Sequence, residues 1–143
     1  MIKKQFTLYL ENRPGALAKV TEKLAAGKVN IEGLSVSEST DVGLIQMVPA
    51  DVNATQRILK RMGIPFTVQD VCLLTLSNQP GALSRIVTQL ALAKVNINYV
   101  YVTGCTCSSS QCGCLAVISA PDLLAVEKAW KKADQKKRSK ARR

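Results

Sequence analysis

The chain has 143 residues, room for one ordinary domain or two small ones, and a net charge of +10. It has no His, which removes the usual general base and the usual zinc ligand, and no apolar run near the roughly eighteen residues that a membrane span requires. The start, Met1-Ile2-Lys3-Lys4-Gln5-Phe6, lacks an apolar core of signal-peptide type and leads directly into a strand pattern, so a cytoplasmic location is expected.

Phe6, Leu8 and Leu10 alternate with Thr7, Tyr9 and Glu11, which predicts a strand with one buried face. Asn12-Arg13-Pro14-Gly15-Ala16-Leu17 then turns the strand into a helix. Asn is a favoured N-cap, because its side-chain oxygen accepts an otherwise unpaired N–H of the first turn. Pro just inside a helix start gives up no bond, and Gly lets a backbone or a ligand come close. Such a turn gathers N–H groups at the positive end of a helix and suits a carboxylate or another small anion. Taken alone, the motif reads more readily as a Pro-Gly turn that only starts a helix.

Leu17, Val20 and Leu24 recur at helical spacing, with Gly27 as the expected stop. Ile31 to Glu38 reads as a strand, Ser39-Thr40-Asp41 as a turn and Val42 to Val48 as the returning strand. Pro49-Ala50-Asp51 introduces a second helix that turns Ile58, Leu59 and Met62 inward and stops at Gly63. Phe66 to Val71 is a fourth strand. The order β-α-β-β-α-β predicts an α+β, ferredoxin-like unit, an antiparallel sheet in order 4-1-3-2 with both helices on one face.

The chain then repeats itself. At a shift of 66, Leu8, Leu10 and Asn12 fall on Leu74, Leu76 and Asn78, and Pro14 through Leu17 fall on Pro80 through Leu83. Lys28-Val29-Asn30-Ile31 falls on Lys94-Val95-Asn96-Ile97. The second unit has a strand from Cys72 to Ser77 and a helix burying Leu83, Ile86, Val87 and Leu90. Strands from Ile97 to Val102 and Cys114 to Ser119 follow, and then a helix burying Leu123, Val126 and Trp130. No fourth strand is evident. From Lys131 to Arg143 eight basic residues face one acid, Asp134, so this stretch carries +7 of the net charge and the rest +3. It is expected to fray into a disordered, solubilising end, with nucleic-acid binding through phosphates the less favoured reading. The expected domains are residues 1–71, 72–130 and the basic tail 131–143.

The second unit departs from the first at Cys105, Cys107, Cys112 and Cys114. Pro49 answers to Pro121 at a shift of 72, so six residues have been gained. A hairpin turning at Ser108 to Gln111 would pair Cys107 with Cys112 and Cys105 with Cys114, all on one face. Cross-strand Cβ atoms about 4.5–5.5 Å apart could converge on zinc or another soft metal ion. A redox pair and a hairpin with no role stay open, and the spacing is not that of the usual C-x-x-C knuckle. Cys72, at the far end of the sheet, reads as core. No nucleophile motif, glycine-rich phosphate loop or inward carboxylate pair is visible, so the chain is not read as an enzyme.

The pair of motifs Asn-Arg-Pro-Gly-Ala-Leu and Val-Asn-Ile, present twice, resembles the ACT domain, the small regulatory module of amino-acid biosynthetic enzymes, in its stand-alone tandem form. The resemblance implies a regulatory protein that binds a free amino acid between two ACT units and signals to a partner enzyme or regulator. By analogy with the ACT domain of serine-regulated phosphoglycerate dehydrogenase, Asn12 and Asn30, and Asn78 and Asn96, would hold the ligand. Backbone groups of the turns Pro14-Gly15-Ala16-Leu17 and Pro80-Gly81-Ala82-Leu83 would complete each site. An Asn amide offers both a donor for carboxylate and an acceptor for ammonium.

In this fold Asn12 and Asn30 lie at opposite ends of one sheet, so each turn needs an Asn from another unit. Strand 4 of the first unit runs into strand 1 of the second with almost no linker. Joining the strand-2 edges within one chain would ask that link to span about 29 Å. A homodimer joined by strand-2 edges between chains is therefore expected. The alternative function is a metal or thiol-redox sensor working through the Cys105 to Cys114 hairpin.

Overall fold

The computed structural model describes residues 1–38, 42–103 and 113–140. The elements in order are β1 (Ile2–Glu11), α1 (Ala16–Ala26), β2 (Ile31–Glu38), β3 (Val42–Pro49), α2 (Val52–Arg61), β4 (Phe66–Ser77), α3 (Ala82–Leu92), β5 (Tyr99–Val102), β6 (Gly113–Ser119) and α4 (Leu123–Lys140). They form two compact units, Lys4–Asp70, and Val71–Arg143 together with Met1–Lys3. The first three residues therefore belong to the second unit.

In the first unit the strands lie in the order β2-β3-β1-β4. β1 and β2 are each antiparallel to β3, with Leu8 opposite Ile45 and Leu34 opposite Met47. The predicted 4-1-3-2 sheet is therefore present. Phe6, Leu8 and Leu10 of β1, Ile45 and Met47 of β3, Val20 and Leu24 of α1 and Leu59 of α2 form one core on the helix side. The Phe6 and Phe66 rings meet there at a centroid distance of 5.5 Å. Leu17, Ile58 and Met62 pack against this core while staying partly exposed. The expectation of one buried face is too simple, because Gln5, Thr7 and Val48, which point away from the helices, are buried too.

The second unit orders its strands β4-β6-β5, with Leu74 opposite Ala116 and Val102 also opposite Ala116 on the other side. Ile86, Leu90, Val126 and Cys72 are buried in its core, with Leu83, Leu123 and Trp130 partly buried against it. Val87, expected inside, is exposed. Ile45 faces Leu8 and Ala116 faces Leu74, a shift of 71, so the second hairpin is longer by five residues and not six. The N-caps agree: Asp51 accepts from the Ala54 amide and Asp122 from the Ala125 amide, each at 2.9 Å.

The missing fourth strand has a substitute. The Leu73 amide donates to the Met1 carbonyl at 2.8 Å, and the Met1 ammonium donates to the Leu73 carbonyl at 3.1 Å. Met1–Lys3 thereby takes the place beside strand 1 of the second unit that a fourth strand would hold. β4 is one unbroken strand of 12 residues, where the sequence pattern predicts two strands. β1 and β4 each serve as strand 1 of one unit and strand 4 of the other. The helix expected to fray after Trp130 runs on to Lys140, and Ala133 within it is buried.

Candidate ligand-binding site

The two Pro-Gly turns have the same geometry. The Ala16 amide donates to the Arg13 carbonyl at 3.3 Å, and the Ala82 amide to the Gln79 carbonyl at 3.1 Å. Gly15 has φ 84°, ψ −9°, and Gly81 φ 80°, ψ 0°. These are the third residues of type II β-turns, with Pro14 and Pro80 at the second position, where the ring's fixed φ fits. Gly is required at the third position because L side chains disfavour that φ. Just before each turn the Arg13 amide donates to Glu11, and the Gln79 amide to Ser77, a three-residue turn centred on Asn12 and on Asn78.

The N-cap assignment needs correcting. Gly15 and Gly81 occupy the N-cap positions, and no side chain caps α1 or α3. Asn12 and Asn78 stand three residues further out, and Pro14 and Pro80 precede the helices. The physical reason is the positive φ of the glycines, which completes the turn before the helix can begin. Asn12, Pro14, Gly15, Asn78, Pro80 and Gly81 are exposed, and Ala16, Leu17, Ala82 and Leu83 are half-buried.

At the other end of α1 the Val29 amide donates to Leu24 and the Lys28 amide to Ala25, both at 2.9 Å. This is a Schellman motif. Its left-handed residue is Lys28, φ 57°, and not the Gly27 expected as the stop. α3 ends alike, with Lys94 at φ 55°. The motif Asn30 and Asn96 follow two residues later and are exposed. The Asn30 carbonyl accepts from the Ala50 amide at 2.9 Å, so Asn30 sits at the β3 exit, whereas Asn12 follows Glu11, which pairs with Val42 at the β3 entry. Eight residues of β3 lie between these levels, about 25 Å. Within a unit, turn and Val-Asn-Ile element are not brought together.

A depression next to the turn escaped sequence reasoning. In the first unit it measures ≈ 420 Å³ and is lined by the end of β1, the first turns of α1 and the Met62–Pro65 loop. Leu10, Val20, Met62 and Ile64 give it an apolar floor; Arg13, Lys19 and Glu11 stand at the rim. Arg13 Nε lies 2.8 Å from Glu11 Oε2. The corresponding space of the second unit, between Thr75, Ala82, Arg85 and Ile86, holds ≈ 40 Å³. There Trp130 and Ala133 of α4 stand where the first unit has its loop, and Trp130 Nε1 donates to the Thr75 carbonyl at 3.2 Å. The signal in the sequence was the single Trp at the point where the repeat fails.

Of the four hairpin cysteines, Cys105, Cys107 and Cys112 lie outside the described residues. Cys114 pairs with Leu76 on β4, and its Sγ lies 3.6 Å from Asn78 Oδ1, so β6 begins beside the second Pro-Gly turn. No cluster of three His, Cys, Asp or Glu side chains occurs among the described residues. Burial pushes the Cys72 thiol above its usual range, against the Met1 ammonium 3.9 Å from its sulfur. Burial, with Tyr99 alongside, pushes the Tyr101 phenol up. No helix among the described residues is long and apolar enough to cross a membrane.

The chain is similar to protein BT0572 from Bacteroides thetaiotaomicron, at 27% identity over 94% of this chain and 90% of that one, with a TM-score of 0.82. It shares its fold with the regulatory subunit of aspartate kinase from Thermus thermophilus in its ligand-free form, at 16% identity, 94% of each chain and a TM-score of 0.68. It also shares it with the regulatory subunit of aspartate kinase from Thermus flavus, at 17% identity, 93% of this chain and 95% of that one, and a TM-score of 0.58. Among curated proteins none matches. Residues 1–107 match the ACT domain pair, and with both units built on that plan the chain belongs to the ACT domain family.

Proposed function

We propose that this ACT pair is a regulatory protein, not an enzyme, that binds a free amino acid between ACT units and signals to a partner enzyme or regulator in the cytoplasm. One observation carries the reading: the same exposed type II turn opens an uncapped helix in both units, at Gly15 and at Gly81. Backbone N–H groups at such an opening favour a carboxylate. A second repeated feature supports it. Lys28 and Lys94 hold left-handed backbone two residues before Asn30 and Asn96, and strain of this kind is retained where a site needs it. Two of the fold's neighbours are named as regulatory subunits.

The separation of Asn12 from Asn30 within a unit makes each site composite. β2 ends the ladder of the first unit and β5 that of the second, which leaves edges for pairing with another chain. A homodimer in which Asn12 of one chain meets Asn30 of the other satisfies both conditions. Titration calorimetry with a panel of amino acids, on the natural chain and on Asn12→Ala, Asn30→Ala, Asn78→Ala and Asn96→Ala, tests the assignment. Binding of one amino acid, weakened about tenfold or more by loss of an amide hydrogen-bonding a charged group, is expected. Heat from none of them overturns the sensing role, and a monomer by light scattering overturns the dimer.

A further inference from the structure

We propose that the first unit's depression beside β1 and α1 binds an aromatic amino acid bearing a ring N–H, and that Trp130 is a built-in stand-in for that ligand in the second unit. The inference rests on the amino-acid-binding reading above but places the ligand in a different site.

The two depressions correspond residue by residue at the repeat shift: Tyr9 with Thr75, Ala16 with Ala82, Lys19 with Arg85, Val20 with Ile86. The same framework is thus open in one unit and filled in the other. The filler is an indole, and it does more than occupy space, because its N–H satisfies the Thr75 carbonyl.

The first unit repeats the demand without the supply. The Tyr9 amide donates to the Pro65 carbonyl at 3.1 Å. In an antiparallel ladder such a pair normally exchanges two bonds. Pro65 has no N–H to return, so the Tyr9 carbonyl, the counterpart of Thr75's, receives no donor from the residue opposite. That carbonyl belongs to a residue lining a depression of ≈ 420 Å³, a size typical of small-molecule sites of about 300–1,000 Å³. A carbonyl left without its ladder donor beside an apolar floor suits a ligand with an apolar body and an N–H donor.

The rim selects the rest of the ligand. Arg13 and Lys19 offer two cations against the one carboxylate of Glu11, already paired with Arg13. The Lys19 ammonium is left to take a ligand carboxylate, with Arg13 adding a second positive charge nearby. An aromatic ring over Leu10, Val20 and Ile64, its N–H on the Tyr9 carbonyl and its carboxylate on Lys19, meets each of these groups.

L-tryptophan is the probe, titrated calorimetrically into the full chain. Binding with one site per chain is expected. L-phenylalanine, lacking the ring N–H, and indole, lacking the carboxylate, should each bind about tenfold or more weakly. Lys19→Ala, at an exposed position, should weaken tryptophan about tenfold, and Ile64→Trp, which installs a filler, should abolish it. Asn30→Ala and Asn96→Ala should leave it unchanged. Trp130→Ala should raise the stoichiometry towards two. Tryptophan binding that survives both Lys19→Ala and Ile64→Trp overturns the inference. So does binding of tryptophan or another amino acid only through the motif asparagines, a result that leaves the composite-site reading standing. Failure of every amino acid to bind overturns both.

Discussion

Met1 and Leu73 exchange both of their backbone hydrogen bonds, at 2.8 and 3.1 Å, and so join the two segments of the second unit, Met1–Lys3 and Val71–Arg143, in one ladder. Two such bonds are worth about 1–3 kcal/mol together. Removing Met1–Lys3 should therefore destabilise the second unit by about that much and expose Cys72, which is fully buried and packs in that core. Thiol labelling should show Cys72 reacting faster in the shortened chain, while Phe6 and its neighbours in the first core stay protected in hydrogen exchange. Unchanged Cys72 labelling would mean that the three residues add nothing to the ladder.

The Met1 ammonium lies 3.0 Å from Glu127 Oε1, and through that hydrogen bond and its charge it holds the Glu127 carboxyl below its usual range. A carboxyl with a depressed folded-state pKa stabilises the fold above its unfolded pKa and loses that contribution as the pH falls through the folded value. Glu127→Gln should thus be less stable than the natural chain at neutral pH. The gap should close on acidification below the ordinary carboxyl value of 4.5. Urea midpoints measured from pH 7 down to pH 3 check this, and a gap that widens towards acid would refute it.

Lys28 and Lys94 occupy left-handed backbone where a helix usually has Gly, as α2 does with Gly63 at φ 66°. That conformation costs an L residue about 1–2 kcal/mol. Part of this is offset by the greater unfolded-state freedom of Gly. Lys28→Gly and Lys94→Gly should each raise stability by up to about 1 kcal/mol, seen as a higher urea midpoint at unchanged slope. If the strain serves ligand binding, affinity should fall in the same variants.

Gly15 presents the opposite case. No atom lies within 4 Å of where a Cβ would stand, so Gly15→Ala meets no clash. The cost is conformational only, about 1–2 kcal/mol from φ 84°. Gly27 is the reverse: its φ is ordinary, but an added Cβ would sit 2.5 Å from Ile58 Cδ1. Gly27→Ala should recover stability when combined with Ile58→Val, whereas Gly15→Ala should not be rescued by any neighbouring change. Double-mutant cycles distinguish the two mechanisms.

The repeat at a shift of 66 made the duplicated unit legible, because core positions such as Leu8 and Leu74 keep both their periodicity and their spacing. Helix and strand identities followed from that periodicity. The candidate site was legible only as a motif. Asn12, Pro14 and Gly15 were recognised as a turn, but the helix start was placed too early, since a sequence does not say which residue carries the positive φ. Matching Pro49 to Pro121 by residue type overstates the second hairpin's gain by one residue, because the ladder aligns Ile45 with Ala116.

By itself the sequence determined the ferredoxin-like plan of each unit, its sheet order and most of its core, since these depend on local periodicity and on a spacing repeated twice. Only the tertiary structure decided that residues 1–3 complete the second sheet, that β4 is continuous, and that Trp130 occupies in one unit the space left open in the other. Those outcomes depend on which distant segment can reach an unsatisfied backbone edge or apolar hollow. Such a choice is made by three-dimensional proximity, which leaves no period in the chain.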